Sequence, residues 1–500
     1  MSALRAALKN SWALGGLTRL ATLPASTLTA WAQLSRLGQW TLGLCEALDP
    51  GIDVRAVHPL IRRACQPAVL FTGVCLLFVV AAFQDTARIG MVVWLLFFMS
   101  LMASLIPGRP LLRRITMIDA LVGLFYLSAV VSTAASSFFL TSLMGLFKMT
   151  TFLAAYLLFR NALEAERLTW WVALLWLLAL LGGWETLVGW HQYTANLEPL
   201  ATWQDPDTNP ELVMTRVFGT LQPSNPNLLA GYLVTCLSAA FGLGFYHWRG
   251  LRRESLLSAL AFLLGGGILA TLVLTGSRGG YLALAGMFPL AFLLGGHLLF
   301  HEPALSARRG LKTLWLSILA LGLGSVALAL TFSESLRHRL LSIFAMREDS
   351  SISYRLNVYD SAMQMARDNW LLGIGPGNDT FKLVYGLYMV PGYTALGAYS
   401  VPLEIAVEQG LPGLLIFGAL LLALALRTLW FLDSARDIRE KILAITLLTA
   451  VAGSALYGAF DTIWYRPAVN IAFWLCVAGL AALTENALGR EAAKRDAASR

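Results

Sequence analysis

The chain has 500 residues, of which 57% are hydrophobic and 13% are charged, and its formal net charge is +8. A soluble protein carries about 25% charged residues, and a chain of this length would divide into several domains that each need a polar surface. The composition excludes a soluble multidomain enzyme and a disordered or fibrous protein, and it predicts an all-α polytopic membrane protein whose basic residues report topology.

Twelve apolar runs follow an N-terminal segment, residues 1–66, which is predicted to be cytoplasmic and to contain one or two interfacial helices. Each run is about 20 residues long, which matches the hydrocarbon core of a bilayer, so each is predicted to be a transmembrane helix. The runs cover residues 67–84, 89–107, 117–135, 141–159, 168–189, 228–247, 256–275, 280–300, 311–331, 411–432, 442–460 and 467–485.

Basic residues are distributed unequally between the loops that these spans would leave on the two sides of the membrane. With the N-terminus in the cytoplasm, most Lys and Arg residues fall in inner loops and in the C-terminal tail. Outside the long segment after the ninth span, the opposite side holds only Arg88, Arg216, Arg278 and Arg466. This bias predicts a multi-pass protein of the cytoplasmic (inner) membrane with both termini in the cytoplasm.

The spacing of the runs also predicts a domain organisation. Transmembrane helices 1–9 would occupy residues 67–331, and helices 10–12 would occupy residues 411–485, followed by a cytoplasmic tail at 486–500. Residues 332–410 lie between the two groups and are too long for a simple turn. Long loops are usually functional or disordered, so this segment is predicted to be an extracytoplasmic loop domain.

The loop domain carries a helical pattern. Apolar residues recur every three or four positions from Ile352 to Trp370, which predicts an amphipathic helix on the outer face of the membrane. Ser351 or Ser353 is predicted to cap this helix, and the turn residues GIGPGN at 373–378 follow it. The loop domain is therefore predicted to be partly helical.

Three arginines on the outer side are the first candidates for substrate binding. Arg278 lies in TGSRGG, between two spans that almost no loop separates, and Arg216 lies in an otherwise acidic loop. Arg355 lies on the predicted amphipathic helix, outside its apolar stripe, the regularly spaced apolar residues from Ile352 to Trp370. If they converge on one extracytoplasmic cavity, they suit a pyrophosphate, a carboxylate or bicarbonate. Lipid headgroups for Arg278 and a loop salt bridge for Arg216 are the alternatives. Asn225 or Asn227 is predicted to cap the next span.

Carboxylates give a second set of candidates. Glu404 and Glu408 have i, i+4 spacing and would share a face of a short helix that ends at the break Gly410–Pro412. Buried, they would form an acid/base or ion site; the alternative is a pair of solvated carboxylates. Asp461 and Arg466 are predicted to pair across a tight outer turn in a structural role.

Histidine and cysteine indicate little chemistry. His338 is a general-base candidate in the outer loop, although an exposed loop histidine is more often inert. His297 and His301 have i, i+4 spacing without a third ligand, and no CxxC occurs among the five cysteines. No metal site and no cofactor are predicted, and the chain has no Walker A motif for ATP.

The sequence resembles a known family. The spans, TGSRGG, the run from Arg355 to Trp370, LLGIGPGN and LEIAVEQGLPGLL are together similar to the O-antigen ligase/polymerase (Wzy_C-type) superfamily over residues 60–485. The resemblance implies an enzyme of polysaccharide assembly. It would transfer a glycan from an undecaprenyl-pyrophosphate carrier outside the cytoplasmic membrane, without ATP or metal. Arg216, Arg278 and Arg355 would then bind the pyrophosphate.

One position departs from the family pattern. The ligases place a catalytic histidine in an Ala-His-Asn/Ser string just before the segment that matches LEI, where this chain has Ala398-Tyr399-Ser400. A tyrosine with a pKa of about 10 is a poor general base at neutral pH. The strings SISYRLNVYDSAM, GIGPGNDTF and AYSVPLEIAVEQG are most similar to the cyanobacterial bicarbonate-transporter-like (IctB) family, which implies inorganic-carbon uptake.

Two functions from different classes follow. In the first, the protein handles an anionic solute such as bicarbonate at the arginine-lined site, with Glu404 or Glu408 coupling to a cation. In the second, it is a metal-independent glycan ligase or polymerase in which Tyr399 or His338 acts as the base. The expected partners are membrane lipids and either bicarbonate or a lipid-pyrophosphate glycan, with no nucleic acid.

Overall fold

The computed structural model of the protein describes most of the helical part of the chain. The described residues are 66–84, 86–104, 115–162, 168–197, 215–248, 252–302, 350–435, 437–462 and 465–498, with Ala21 and scattered positions between 310 and 337. The predicted N-terminal segment lies almost entirely outside these residues, as do His338 and most of the predicted span at 311–331.

Thirteen α-helices account for most of the described residues, among which there is no β-strand. The all-α prediction is therefore confirmed. In chain order the helices are Pro67–Phe83 (α1), Thr86–Ser104 (α2), Met117–Ala135 (α3), Phe139–Ala162 (α4), Leu168–Thr194 (α5), Pro226–His247 (α6), Arg252–Leu274 (α7), Arg278–His301 (α8), Ser350–Asp368 (α9), Asn378–Tyr385 (α10), Val401–Ser434 (α11), Ile438–Gly458 (α12) and Pro467–Ala498 (α13).

Most of these helices are suited to a bilayer. Within the described part of the chain, nine are long and apolar enough to cross a membrane, namely α3 to α8 and α11 to α13. Helices α1 and α2 are apolar but shorter. Together these eleven helices overlap eleven of the twelve predicted spans, so the protein is a multi-pass membrane protein.

Small and hydroxyl residues hold the centre of the bundle together, where α6 packs against α12. Gly242 of α6 lies so close to Thr446 of α12 that an added Cβ would overlap the threonine side chain. Ser238 donates a hydrogen bond to the Thr446 carbonyl at 2.7 Å, and the hydroxyls of Thr235 and Ser454 are 3.2 Å apart. In lipid, close packing and hydrogen bonds of this kind drive helix association, since burial of apolar surface cannot.

A buried ion pair joins α3 to α4. Thr116 and Asp119 form a capping box at the start of α3, which satisfies backbone N–H groups that the helix leaves unpaired. Arg160 of α4 donates to both carboxylate oxygens of Asp119 at 2.8 and 2.9 Å, and the hydroxyl of Tyr156 donates to the same carboxylate at 2.5 Å. The charge of Asp119 is therefore fully compensated inside the bundle.

Helices α9 and α10 pack at one end of the bundle, which we call the site end. Val358 and Ala362 of α9, Phe381 of α10 and Val407 of α11 belong to a separate small apolar core there. The amphipathic helix predicted from the apolar stripe is thus confirmed as α9. The predicted caps are wrong, because α9 begins at Ser350 and residues 351 and 353 lie within its first turn.

Helix α11 is interrupted near its start. At Gly410 the backbone has φ 70° and ψ −173°, which is not helical, and Pro412 has no N–H to donate. The N–H of Leu411 also points away from the helix. As a result, the carbonyls of Val407 and Glu408 lose the donors that a continuous helix would give them. The break predicted at Gly410–Pro412 is confirmed.

The glycine loop, residues 370–377, supplies the missing partners. The amides of Ile374 and Gly375 donate to these two carbonyls at 2.9 and 3.0 Å, and the carbonyl of Trp370 accepts from the N–H of Leu411 at 2.7 Å. Gly375 adopts φ 99°, a region that favours glycine. The two motifs GIGPGN and EIAVEQGLPG therefore form one backbone junction.

The approach of α4 to the glycine loop gives a first prediction. An added Cβ on Gly145 would overlap the carbonyl of Pro376, a backbone atom that cannot rotate away. We expect Gly145→Ala to lower the unfolding free energy by about 1 to 3 kcal/mol, as overpacking does. Gly123→Ala in α3 is the control, since the space around it is open. Thermal unfolding of the purified protein in detergent tests both, and equal stability of the two variants would contradict the prediction.

Candidate functional site

The site is built on three arginines at the site end, Arg216, Arg278 and Arg355, which we call the arginine cluster. Arg278 is the first residue of α8, and Ser277 caps this helix by accepting from the N–H of Gly280. Gly276, with φ 61°, makes the tight turn between α7 and α8. This turn explains why the arginine of TGSRGG lies at a helix end.

Arg216 precedes a short non-helical segment that leads into α6. Its Nε donates to the carbonyl of Thr275 at 2.8 Å, and a terminal nitrogen donates to Oδ1 of Asn227 at 2.8 Å. Burial lowers the pKa of Arg216 to about 10, and the positive charges of Arg278 and Arg355 also lower it. Arg216 thus stays cationic at neutral pH and is in electrostatic range of the other two arginines.

Arg355 of α9 is anchored by the turn after α12. It donates to the carbonyl of Phe460 at 2.6 Å and to Oδ2 of Asp461 at 3.1 Å. Burial alone would lower the pKa of Arg355, but the negative charge of Asp461 raises it above the usual value. The predicted pairing of Asp461 with Arg466 is wrong, because Asp461 pairs with an arginine more than 100 residues earlier.

Tyr457 ties the elements that carry these arginines. The side chain is fully buried, and its hydroxyl donates to the carbonyl of Asn227 at 2.7 Å and lies 2.8 Å from Oγ of Ser277. It therefore links α12 to the start of α6 and to the start of α8. No motif in the sequence singles out Tyr457, whose one signal is a polar hydroxyl one helical turn before Asp461.

We expect Tyr457→Phe to lower the unfolding free energy by about 1 to 2 kcal/mol, because it leaves the carbonyl of Asn227 and the hydroxyl of Ser277 short of a partner. Tyr193→Phe is a matched control, since Tyr193 is 44% exposed. Thermal unfolding in detergent measures the difference, and a Tyr457→Phe protein as stable as Tyr193→Phe would refute the expectation.

Tyr399, of the string Ala398-Tyr399-Ser400, lies beside the cluster. The guanidinium carbon of Arg355 is 5.8 Å from the centre of its ring. Its backbone is left-handed, with φ 50°, which is uncommon for a residue other than glycine. Its carbonyl accepts from the Tyr359 hydroxyl at 3.0 Å. Burial and the neighbouring Tyr354 raise the pKa of Tyr399, so its phenol is protonated at neutral pH.

The two predicted carboxylates lie on α11 next to the glycine loop, and both are buried, so of the two alternatives the solvated pair is wrong. Glu408 accepts from the N–H of Gly377 at 2.9 Å, and Tyr465, whose pKa is raised by burial, also bonds to it. Neither oxygen of Glu404 has a hydrogen-bond partner of normal geometry. The backbone N–H of Ala398 lies near the carboxyl group of Glu404.

The remaining candidates add less. His338 and the acidic residues near Arg216 lie outside the described residues. Asn225 caps α6, accepting from the N–H of Asn227 at 2.7 Å, which confirms one of the two predicted caps. His297 stacks on His301 and lies 3.7 Å from Asp433. Within the described residues, no three His, Cys, Asp or Glu side chains are grouped as a metal site would need.

Comparison with known proteins agrees with the sequence motifs over part of the chain. The family model Wzy_C, described as O-antigen ligase, matches residues 259–418. This range includes Arg278, Arg355 and Tyr399, while Arg216 and Asp461 lie outside it. No curated protein matches the chain. The protein is therefore a polytopic membrane protein whose residues 259–418 are similar to O-antigen ligase.

Proposed function

We propose that the protein is a metal-independent glycan ligase or polymerase that uses an undecaprenyl-pyrophosphate-linked donor. The observation that carries this proposal is the placement of the three arginines around the adjoining ends of α7, α8 and α12. Arg216 donates to the Thr275 carbonyl just before Arg278, and Arg355 donates to the Phe460 carbonyl just after α12, whose Tyr457 lies against the Ser277 cap of α8. The match of residues 259–418 to O-antigen ligase supports it. In this proposal the site end faces the outside of the cytoplasmic membrane, and both termini are cytoplasmic.

The charge of the cluster suits a pyrophosphate. The two described partners of Arg216 are uncharged oxygens, which leave its positive charge uncompensated. Arg355 is held by the carboxylate of Asp461. Arg216, whose described partners are neutral, supplies positive charge for an anion, and guanidinium groups bind phosphate oxygens bidentately. Arginines fixed in this way also need little reorganisation when charge develops on the leaving group.

The proposed glycan transfer exchanges one bond at the sugar C1 for another. The bond between the sugar C1 and the pyrophosphate oxygen breaks, and its electron pair leaves with the lipid pyrophosphate, whose charge the arginine cluster stabilises. A hydroxyl oxygen of the acceptor forms the new bond to C1 and loses its proton. Tyr399 is a protonated phenol and a poor base, so we assign that proton to Asp461, which contacts Arg355.

The test is transfer by the purified full chain from a lipid-pyrophosphate glycan to an acceptor glycan, followed by gel mobility or mass. Arg278→Ala and Arg355→Ala should each lower the rate by about 100-fold or more, since each removes a preorganised positive group. Arg367→Ala is the matched control, because Arg367 is exposed on the same helix as Arg355. Absence of product with the native chain, or product unaffected by Arg278→Ala, would overturn the proposal.

Bicarbonate handling stays a prediction of the resemblance to the IctB family. The arginine cluster would also accept a carboxylate-sized anion, but no feature specific to the described residues favours transport over glycan transfer. Uptake of labelled bicarbonate into liposomes that contain the purified chain measures it directly. If uptake occurs and depends on Arg278, transport replaces the ligase proposal. If uptake is absent under every ion gradient, the transport alternative is excluded.

A further inference from the structure

Helix α5 carries two polar side chains that the proposed reaction does not use. Glu185 and Gln192 are seven residues apart, so they lie on the same face of the helix, and their exposures are 0% and 5%. A carboxylate and an amide buried in an apolar span are unfavourable unless their hydrogen bonds are satisfied. Such residues in a membrane protein are functional candidates by default.

Both side chains bind one short non-helical segment, residues 217–221. One carboxylate oxygen of Glu185 accepts from the backbone N–H of Thr220 at 2.8 Å, and the other accepts from the Thr220 hydroxyl. Oε1 of Gln192 accepts from the N–H groups of Phe218 and Gly219, both at 2.9 Å, and its Nε2 donates to the Gly219 carbonyl at 3.0 Å. These contacts satisfy three successive amides that have no helix or sheet partner.

The segment is itself buried and closely fitted. Val217 and Leu221 are almost fully buried, and the N–H of Val217 donates to the carbonyl of Leu274 at the end of α7. Gly219 has φ 67°, and an added Cβ there would overlap the carboxylate of Glu185. Only glycine lets the carboxylate come so close to the backbone. The segment is thus held from α5 on one side and from α7 on the other.

Arg216 is the residue immediately before this segment. We propose that Glu185 and Gln192 form a clamp, the α5 clamp, which fixes residues 217–221 and thereby aims Arg216 at the substrate pyrophosphate. The inference rests on the proposed function. Both are positioning residues, because their contacts are to the backbone and hydroxyl of the segment and not to the arginine cluster. The clamp explains why a polar face is kept inside an apolar span.

The first measurement needs no ligand. Hydrogen–deuterium exchange of the full chain in detergent reports the amides of residues 218–220 in Glu185→Leu and Gln192→Leu. We expect these amides to exchange about tenfold faster, which matches the loss of a buried hydrogen bond. Thr186→Val is the matched control, since its hydroxyl bonds only to the Gly182 carbonyl of its own helix. Unchanged exchange in both clamp variants would overturn the clamp.

The second measurement separates positioning from general destabilisation. Affinity for undecaprenyl pyrophosphate, the probe, should fall about tenfold in Glu185→Leu and more strongly in Arg216→Ala. Because the clamp acts only through Arg216, adding Glu185→Leu to Arg216→Ala should give no further loss. Losses that multiply, or native affinity in Glu185→Leu, would overturn the positioning role.

The two proposals can fail separately. If the native chain does not bind the probe, the proposed function fails, whereas the exchange data still support or overturn the clamp. If the native chain binds the probe and Arg216→Ala and Arg278→Ala both weaken it, the proposed function stands. The exchange data and the affinities of the single and double variants then decide the clamp.

Discussion

Glu485→Leu is expected to destabilise the protein by about 3 to 5 kcal/mol, because it leaves a buried charge without its partner. Arg427 of α11 has no exposed surface. It donates to the carboxylate of Glu485 at 2.8 Å and to the hydroxyl of Thr484 at 2.7 Å, both on α13. Removal of the carboxylate leaves the guanidinium of Arg427 buried between two apolar helices without a negative partner.

The control is the double variant Arg427→Met with Glu485→Leu, which replaces both charges by apolar groups of similar volume. We expect it to recover most of the lost stability, since an apolar pair at a buried position is often as stable as the ion pair. Thermal unfolding in detergent gives the comparison. A single variant as stable as the native chain, or a double variant no better than the single one, would show that the pair is not what holds α11 to α13.

Gly410→Ala is expected to have the second large effect. The backbone at Gly410 has φ 70° and ψ −173°, a region that residues with a Cβ almost never adopt. An added Cβ would also lie 2.7 Å from backbone atoms of Trp370 and Leu371. We expect a loss of about 3 kcal/mol or more, which combines backbone strain with overpacking.

Gly418→Ala is the matched control on the same helix. It lies in regular helix with open space around the added Cβ, so alanine should leave the stability unchanged or raise it by about 0.5 to 1 kcal/mol. Thermal unfolding of both variants measures the contrast. If Gly410→Ala unfolds at the same temperature as Gly418→Ala, the break in α11 does not depend on glycine.

Local patterns in the sequence predicted local structure well. Run length and composition predict the spans, because a helix that must satisfy its own backbone in lipid needs about 20 apolar residues. The stripe from Ile352 to Trp370 predicts α9, and the pair Gly410 and Pro412 predicts the break in α11. Each of these features depends on residues that are neighbours in the chain.

Contacts between distant residues could not be predicted in this way. The pairing of Arg355 with Asp461 depends on how α9 packs beside the end of α12, whereas Arg466 is close to Asp461 in sequence only. The hydroxyl of Tyr457 likewise contacts Asn227 and Ser277, which are both far from it in sequence. The roles proposed for the arginine cluster and Tyr399, like the domain limits at 332–410, stay predictions.

The junction between the glycine loop and α11 bears on how a substrate reaches the site. Three backbone hydrogen bonds join the glycine loop to α11, from the N–H groups of Ile374, Gly375 and Leu411. A hinge at these glycines would break several of them, and each buried backbone group left unpaired is unfavourable. We therefore expect α9 and α10 to act as a fixed wall, and under the proposed function a lipid-linked donor would arrive from the side of the bundle and not beneath a moving lid.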